Sequence, residues 1–160
     1  MLCLYLDLDL HKRRYNVIDN YGYSYMKQDF VKIACGTDDG INFTSEHFGS
    51  ASFYLIYLFN LKTGEIKKIE ERKNTSIEEE MHGDPKKAQS ISALLKDVQV
   101  LVAFVMGPNI VRIRKKFLPI ISREKNIKVA LEKLKKQSNK IRQELKKKTG
   151  IDKEIIYLKI

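Results

Sequence analysis

Apolar and polar residues follow two different periods along the chain, and these periods predict its strands and helices. Three short runs have the pattern of β-strands, namely residues 31–36, 52–59 and 65–71. Residues 60–64, with the sequence Asn-Leu-Lys-Thr-Gly, separate the last two runs and predict a hairpin turn. We therefore predict three consecutive strands that form an antiparallel meander.

The second half of the chain alternates between helical and strand patterns. Asp84 followed by Pro85 is typical of a helix start, and apolar residues recur after it at helical spacing. Residues 98–106 form an almost unbroken apolar run, which indicates a strand buried on both faces and paired in parallel. The pattern then predicts a helix from 109 to about 117, a short strand at 118–121, and a long helix from about 126 to 148.

The order of these elements predicts an α/β protein with a ribonuclease H-like, three-layer domain. Its mixed sheet is expected to have five strands, an antiparallel meander beside parallel strands, with a long basic C-terminal helix. We expect the domain to cover residues 26–135 and residues 136–160 to form a helical extension, in which 154–160 could add a final strand. Residues 1–25 are expected to form an N-terminal arm, either a short hairpin or a disordered segment; the third alternative is that the natural protein begins at Met26.

The formal net charge of +10 over 160 residues is unevenly distributed. Residues 112–160 contain 17 Lys and Arg against 5 Asp and Glu, whereas residues 1–111 contain 13 against 15. The basic character therefore belongs to the C-terminal part, and any acidic partner would be expected to contact it there. One interpretation is that the basic helix binds nucleic acid or an acidic protein, and its apolar stripe would also permit dimerisation. The other interpretation is that its charged residues form an ordinary face exposed to solvent. The basic residues singled out are Lys135, Lys136, Lys146 and Lys147.

Cysteine usage and hydropathy limit the compartment. Cys3 and Cys35 are too few for a disulfide framework or a structural zinc site. No apolar run approaches the roughly 20 residues that span a bilayer. Asp7 and Asp9 interrupt the N-terminal apolar stretch, unlike a signal peptide. We therefore expect a cytoplasmic protein with reduced thiols and no membrane partner.

Residues 45–51, with the sequence Ser-Glu-His-Phe-Gly-Ser-Ala, place a histidine on a polar turn between two predicted strands. Histidine on such a loop is a typical position for chemistry, so we predict that His47 lies at a sheet edge near solvent. The alternative is a turn residue whose imidazole bonds to neighbouring backbone. Cys35 shares a strand face with Val31 and Ile33, which indicates a core residue.

Four short motifs occur together, Val31-Lys32-Ile33-Ala34, Asp38-Asp39-Gly40, Ser45-Glu46-His47-Phe48-Gly49 and Gly107-Pro108-Asn109. In combination they resemble the dinitrogenase iron-molybdenum cofactor biosynthesis family over roughly residues 30–132. The Ser-Glu-His-Phe-Gly signature is the most specific of them. The resemblance implies a ribonuclease H-like fold and, in nitrogen-fixing members, binding of iron-molybdenum cofactor or its precursors without catalysis.

The resemblance also implies roles for individual residues. His47 would be the ligand to a cluster metal, on a loop formed by Ser45, Glu46, Phe48 and Gly49, and Glu46 or a backbone carbonyl would fix its second ring nitrogen. Weaker ligand candidates are Cys35 and His82. The remaining motif, Gly107-Pro108-Asn109, starts a helix, and the free N–H groups of that helix start would attract an anionic cluster. The alternative interpretation of this motif is a plain turn between a strand and a helix.

We therefore expect a non-catalytic protein that binds or carries an iron-molybdenum or related metal-sulfur cluster, with cluster donor or acceptor proteins as partners. Enzymatic activity is not expected. Two-metal hydrolysis needs several converging carboxylates, and residues 88–106 contain no acid except Asp97. The alternative function is an interaction module that contacts nucleic acid or an acidic protein through the basic helix. In that case the His47 loop is only structural.

Overall fold

A computed structural model of the chain describes residues 17–18, 24–25, 29–78, 83–148 and 150–159. The N-terminal arm therefore lies outside the described residues except for strands β1 (Val17–Ile18) and β2 (Ser24–Tyr25), which pair antiparallel. His82 lies outside them as well.

The main sheet and its helices follow in chain order. The strands are β3 (Phe30–Thr37), β4 (Phe53–Asn60), β5 (Ile66–Lys73), β6 (Val100–Ala103), β7 (Leu118–Ser122) and β8 (Ile156–Leu158). The helices are α1 (Pro85–Leu94), α2 (Ile110–Ile113), α3 (Ile127–Leu134) and α4 (Ser138–Leu145). Short 3-10 turns occur at Phe48–Ser50 and Lys135–Gln137.

The strand order in the main sheet is β5-β4-β3-β6-β7-β8. The first three strands along the chain pair antiparallel, which confirms the predicted meander. Beyond β3 the pairing becomes parallel, from β6 through β7 to β8. The sheet has six strands rather than five, because the segment named as a possible final strand at 154–160 returns to the sheet as β8. The mixed character of the sheet is confirmed, and its switch from antiparallel to parallel pairing occurs at β3.

Two hydrophobic clusters lie on opposite faces of the sheet. One joins the sheet to α3 and α4 through residues such as Leu131 and Ile141, and the other joins it to α1 and α2 through Ile91 and Ile113. Helices therefore cover both faces, and the predicted three-layer α/β fold is confirmed. In the described part of the chain, no helix has the length and apolar character of a membrane span.

Two predicted helices differ from the structure. The helix expected from 109 to 117 is α-helical only over Ile110–Ile113, after which tight turns carry the chain into β7. The helix expected from 126 to 148 is broken into α3 and α4 by the 3-10 turn Lys135–Gln137. At this break the Ser138 hydroxyl donates a 2.8 Å hydrogen bond to the Lys135 carbonyl, a side-chain bond that competes with the helical ladder.

Residues 136–160, predicted as an extension, pack into the same body as the rest of the sheet. Ile141 is fully buried, and β8 hydrogen-bonds to β7. The Arg142 guanidinium donates to the Asp29 carboxylate at 2.6 Å, which ties α4 to the start of β3. The C-terminal segment is thus part of the core rather than an appendage.

A cluster of charged side chains joins β5 to the loop before β6. This loop lies at the start of β6, whereas the Gly107 turn follows the end of β6. Asp97 accepts hydrogen bonds from Lys32 at 2.8 Å and from Arg72 at 2.9 Å, and Arg72 also pairs with Glu70 at 2.6 Å. Burial by itself would raise the pKa of Asp97, but the bonds from Arg72 and Lys32 outweigh it and hold that pKa well below its usual range. The ionised carboxylate therefore stabilises the fold.

We predict that Asp97→Asn lowers the free energy of unfolding by on the order of 1 kcal/mol at pH 7, because 37% of the Asp97 side chain is exposed and solvent screens its pairs. A carboxyl whose pKa is lower in the folded state contributes its full stabilisation above its unfolded pKa of about 3.9, and this contribution is lost progressively as the pH falls from there through the lower folded pKa. Denaturant unfolding at pH 7 and pH 3 measures the difference: the wild type loses part of this increment on acidification, whereas the variant loses none of it, so the acid-induced loss of stability is smaller in the variant.

Asp152→Asn is the matched control, since its carboxylate lies 4.0 Å from Arg114 and is 50% exposed. A change within about 0.5 kcal/mol is expected for it. An acid-induced loss of stability in Asp97→Asn as large as in the wild type would contradict the assignment.

Candidate functional site

His47 lies at the start of the 3-10 turn Phe48–Ser50, between β3 and β4. Its carbonyl accepts a 2.8 Å hydrogen bond from the Ser50 amide, and the Phe48 amide donates to the carbonyl of Val105, also at 2.8 Å. The second bond joins the turn to the segment that leaves β6. His47 is partly exposed, as predicted, and it lies where the central strands β3 and β6 end rather than beside an outer strand. In open α/β sheets, this end of the strands is where ligands bind.

The turn that carries His47 is anchored from below by aromatic packing. Phe48 is fully buried, and its ring lies 5.0 Å from the ring of Tyr54 between centroids. The Tyr54 hydroxyl donates to the Phe48 carbonyl at 3.2 Å. Gly36 allows β3 to approach closely, because a Cβ there would lie 3.0 Å from the Ala51 side chain. The motif is therefore a rigid support that holds the imidazole at the surface.

Gly107 is in direct contact with the imidazole. Its φ is +82°, which is in the left-handed region that favours glycine. A Cβ built on it would lie 2.7 Å from His47 Cγ and 3.0 Å from His47 Nδ1. The structure thus brings together two motifs that lie far apart in the sequence, and only a glycine at 107 leaves room for the ring.

A narrow cleft opens beside His47 between the 3-10 turn, α1 and the turn that follows β6. Its enclosed volume is about 20 Å³, which is room for about one water molecule. The walls are partly apolar, with Ile91, Met106 and Ile113, and partly polar, with Lys87. A bulky ligand would therefore contact His47 at the mouth of the cleft rather than inside it.

The Gly107-Pro108-Asn109 turn uses its polar groups within the fold. The Asn109 side chain is 9% exposed and donates to the Asp84 carbonyl at 3.1 Å. The Ile110 amide donates to the carbonyl of Gly107 at 3.2 Å, so the helix start offers fewer unpaired N–H groups than predicted. Asp84 itself caps α1 by accepting from the Lys86 amide at 2.9 Å, which confirms the predicted helix start. This turn positions the cleft wall, and its role towards anions stays a prediction.

The acidic pair at the end of β3 has a structural role in this geometry. Asp39 accepts from the amides of Asn42 at 2.7 Å and Ile41 at 2.8 Å, and these bonds lower its pKa to about 2. Asp38 accepts from the amide and the hydroxyl of Ser52, at 2.8 and 2.7 Å. The two carboxylates close the loop that leads to His47.

Cys35 is fully buried in the cluster that faces α3 and α4, together with Val31 and Ile33 as predicted. Burial raises the pKa of its thiol far above the usual range. The cleft belongs to the opposite face of the sheet, where Ile91 and Met106 pack. This position agrees with a core residue and provides no contact between the thiol and the His47 site.

The basic C-terminal residues lie away from the cleft, and two of the four are paired with acids. Lys135 binds Glu132 at 2.8 Å, and Lys147 binds Glu144 at 2.7 Å. Lys135 and Lys136 border an open groove beside the β4–β5 hairpin, whereas Lys146 is exposed after α4. These residues do not form one continuous site with His47, and their binding of nucleic acid or an acidic protein stays a prediction.

Two residues of the site were not singled out by sequence reasoning. Asn74 follows β5 and donates to the carbonyls of Gly49 at 3.0 Å and Ala51 at 2.7 Å, so it holds the His47 turn from the side. Lys87 lines the cleft from α1. A signal for Lys87 exists in the sequence, because it stands four residues before Ile91 on the apolar face of the helix.

No group of three or more His, Cys, Asp or Glu side chains that could hold a metal ion occurs within residues 29–78, 83–148 and 150–159.

Comparison with protein-family models matches residues 30–137 to the family described as dinitrogenase iron-molybdenum cofactor. The matched region is more than half of the chain, and it contains both the His47 turn and the Gly107 turn. Comparison with curated proteins gives no match. The chain therefore belongs to the dinitrogenase iron-molybdenum cofactor family.

Proposed function

We propose that this protein is a non-catalytic carrier of an iron-molybdenum or related metal-sulfur cluster, and that His47 is its ligand to a cluster metal. Membership of the family supports a role associated with such clusters. The observation that carries the proposal is the contact of the His47 imidazole with Gly107, at a partly exposed position where β3 and β6 end. Imidazole is a suitable ligand for iron.

The geometry of the cleft supports a cargo bound at the surface. An enclosed volume of about 20 Å³ cannot contain a multinuclear cluster, so the cluster would lie over His47 with one side open to a partner. Resident metal centres are usually held by three or four protein ligands. Attachment through one imidazole is weaker and more easily exchanged, which suits a protein that passes its cargo on.

The orientation of the imidazole supports the same role. The bond between the Phe48 amide and the Val105 carbonyl fixes the backbone beside His47, and Gly107 packs against the ring, so few positions are open to the imidazole before a cluster arrives. A ligand that needs no reorganisation binds more tightly than a mobile one. Partner proteins in this proposal are those that donate the cluster or accept it.

We predict that His47→Ala abolishes retention of isolated iron-molybdenum cofactor, because it removes the metal ligand without changing the core. The protein is mixed with the cofactor without oxygen, passed through a gel-filtration column, and analysed for iron, molybdenum and electronic absorption. The wild type is expected to retain both metals in a fixed ratio to protein, and the variant to retain less than about a tenth of that amount.

Thr63→Ala is the control, since Thr63 is exposed in the turn between β4 and β5 and lies outside the His47 loop. It is expected to retain the cofactor like the wild type. His82→Ala separates the two histidine candidates and is also expected to retain it. Equal metal content in His47→Ala and the wild type would overturn the assignment of His47, and a wild type that retains no cofactor would overturn the carrier function.

A further inference from the structure

A lysine side chain is buried in the wall of the His47 cleft. Lys87 is in the first turn of α1, and only 9% of it is exposed. Its neighbours on that helix face are the core residues Ala88 and Ile91. Lysine is almost never buried to this extent without a specific reason, because removal of an ammonium group from water is costly.

A chain of hydrogen bonds fixes both the ammonium group and the turn that carries His47. The Lys87 ammonium donates to the Ser76 hydroxyl at 2.8 Å, and this hydroxyl donates to the side-chain oxygen of Asn74 at 2.6 Å. The amide nitrogen of Asn74 in turn donates to the carbonyl of Gly49 at 3.0 Å. The position of the positive charge is therefore tied to the position of the imidazole.

Gly49 of the motif leaves space for the lysine. A Cβ built on Gly49 would lie 3.5 Å from Lys87 Cε and 3.8 Å from Ile91 Cγ1. Both distances are ordinary van der Waals contacts, so the turn and the lysine stem are packed closely at this position. The His47 turn and the first turn of α1 thus pack together around the aliphatic part of the Lys87 side chain, which ends in the ammonium group.

We propose that Lys87 is a specificity-determining residue of this site, which selects an anionic cargo at His47; the proposal rests on the proposed carrier function. A positive charge in partly buried surroundings acts on a nearby anion more strongly than an exposed lysine does, because solvent screens it less. Metal-sulfur clusters and their acidic organic ligands carry negative charge. His47 supplies the coordinate bond, and Lys87 supplies the electrostatic attraction to the same cargo.

The test is a titration of the apoprotein with isolated iron-molybdenum cofactor under anaerobic conditions. Lys87→Gln keeps a hydrogen-bond donor for Ser76 and removes the charge; we expect it to bind the cofactor about tenfold more weakly. Lys87→Arg keeps the charge and is expected to recover most of the affinity. The matched control is Lys86→Gln, which makes the same change of net charge at the adjacent, exposed position and is expected to stay within about twofold of the wild type.

Two further readouts separate a charge effect from a loss of structure. At saturation, Lys87→Gln is expected to show the same cluster absorption as the wild type, because His47 still binds the metal. Its affinity should also depend less on ionic strength than that of the wild type. Unchanged affinity in Lys87→Gln, with binding still lost in His47→Ala, would overturn this inference and leave the carrier function intact. A wild type that binds no cofactor would overturn both.

Discussion

Gly107→Ala is expected to lower the free energy of unfolding by about 2–4 kcal/mol and to abolish cofactor binding at the same time. An alanine in the left-handed region costs about 1–2 kcal/mol through its backbone alone. At this position the new Cβ would also lie 2.7 Å from His47 Cγ, closer than two carbons approach without displacement. The imidazole must therefore move, and the position on which the proposed metal bond depends is lost.

Gly64→Ala is the matched control for the backbone contribution. Gly64 has a φ of +79°, close to the +82° of Gly107, but a Cβ on it would meet nothing within 4 Å. The free energy of unfolding of Gly64→Ala is expected to fall by about 1–2 kcal/mol, and the variant is expected to keep cofactor binding. Denaturant unfolding of both variants, with metal analysis after gel filtration, measures the two effects. If the two variants lose equal stability, or if Gly107→Ala retains the cofactor, the contact between Gly107 and His47 does not contribute to binding.

Phe48→Ala is expected to lower the free energy of unfolding by about 3–5 kcal/mol, because it deletes a fully buried ring from the core beneath the site. The ring supports the turn on the Tyr54 side, with centroids 5.0 Å apart. Since the Phe48 amide also joins the turn to Val105, loosening of this residue should weaken cofactor binding. Phe48→Leu is expected to restore most of the stability and the binding.

Phe43→Ala provides the comparison for this variant. Phe43 is 5% exposed and belongs to the hydrophobic cluster on the opposite face of the sheet. A similar loss of stability is expected, without a loss of cofactor binding under conditions in which both variants are folded. If both variants lose binding equally, the effect is general destabilisation, and the support given by Phe48 to His47 is not specific.

The arrangement of strands could be predicted because local signals agreed with the global fold. The β4–β5 hairpin is fixed by its turn residues, and α1 by the pair of Asp84 as cap and Pro85 as first residue. The apolar run that contains β6 indicated a central parallel strand, which pairs on both sides in the structure. In each case the tertiary structure uses the preference that the local sequence already has.

Helix lengths were less predictable, because they depend on side-chain bonds that the pattern does not show. The apolar stripe of the predicted long helix has a gap between Leu134 and Ile141, and the chain breaks in that gap, where Ser138 bonds to the Lys135 carbonyl. After α2, Phe117 and Leu118 are fully buried and lead into β7, so the chain must leave the helical direction early.

The candidate site was predictable as a set of motifs but not as a geometry. His47 and the Gly107 turn were both singled out from the sequence, yet only the parallel pairing of β3 with β6 brings them into contact. Asn74 follows β5 in a segment with no recognisable motif, and the helical spacing from Lys87 to Ile91 indicates a shared helix face but not a place in the cleft. A hydrogen-bond network that crosses three elements has no local sequence signal, which is why it was missed.

The last strand of the sheet has a consequence for how the protein is made. Arg142 pairs with Asp29 across 113 residues of sequence, and β8 completes the sheet with residues that lie beyond the family-matched region. Contacts of such long range form late and slow the folding reaction. The partner of this β7 edge is therefore available only after residues 156–158 have been synthesised. A chain that stops at residue 137 would contain the His47 and Gly107 turns, yet it would lack α4 and β8 and would leave this edge of β7 unpaired.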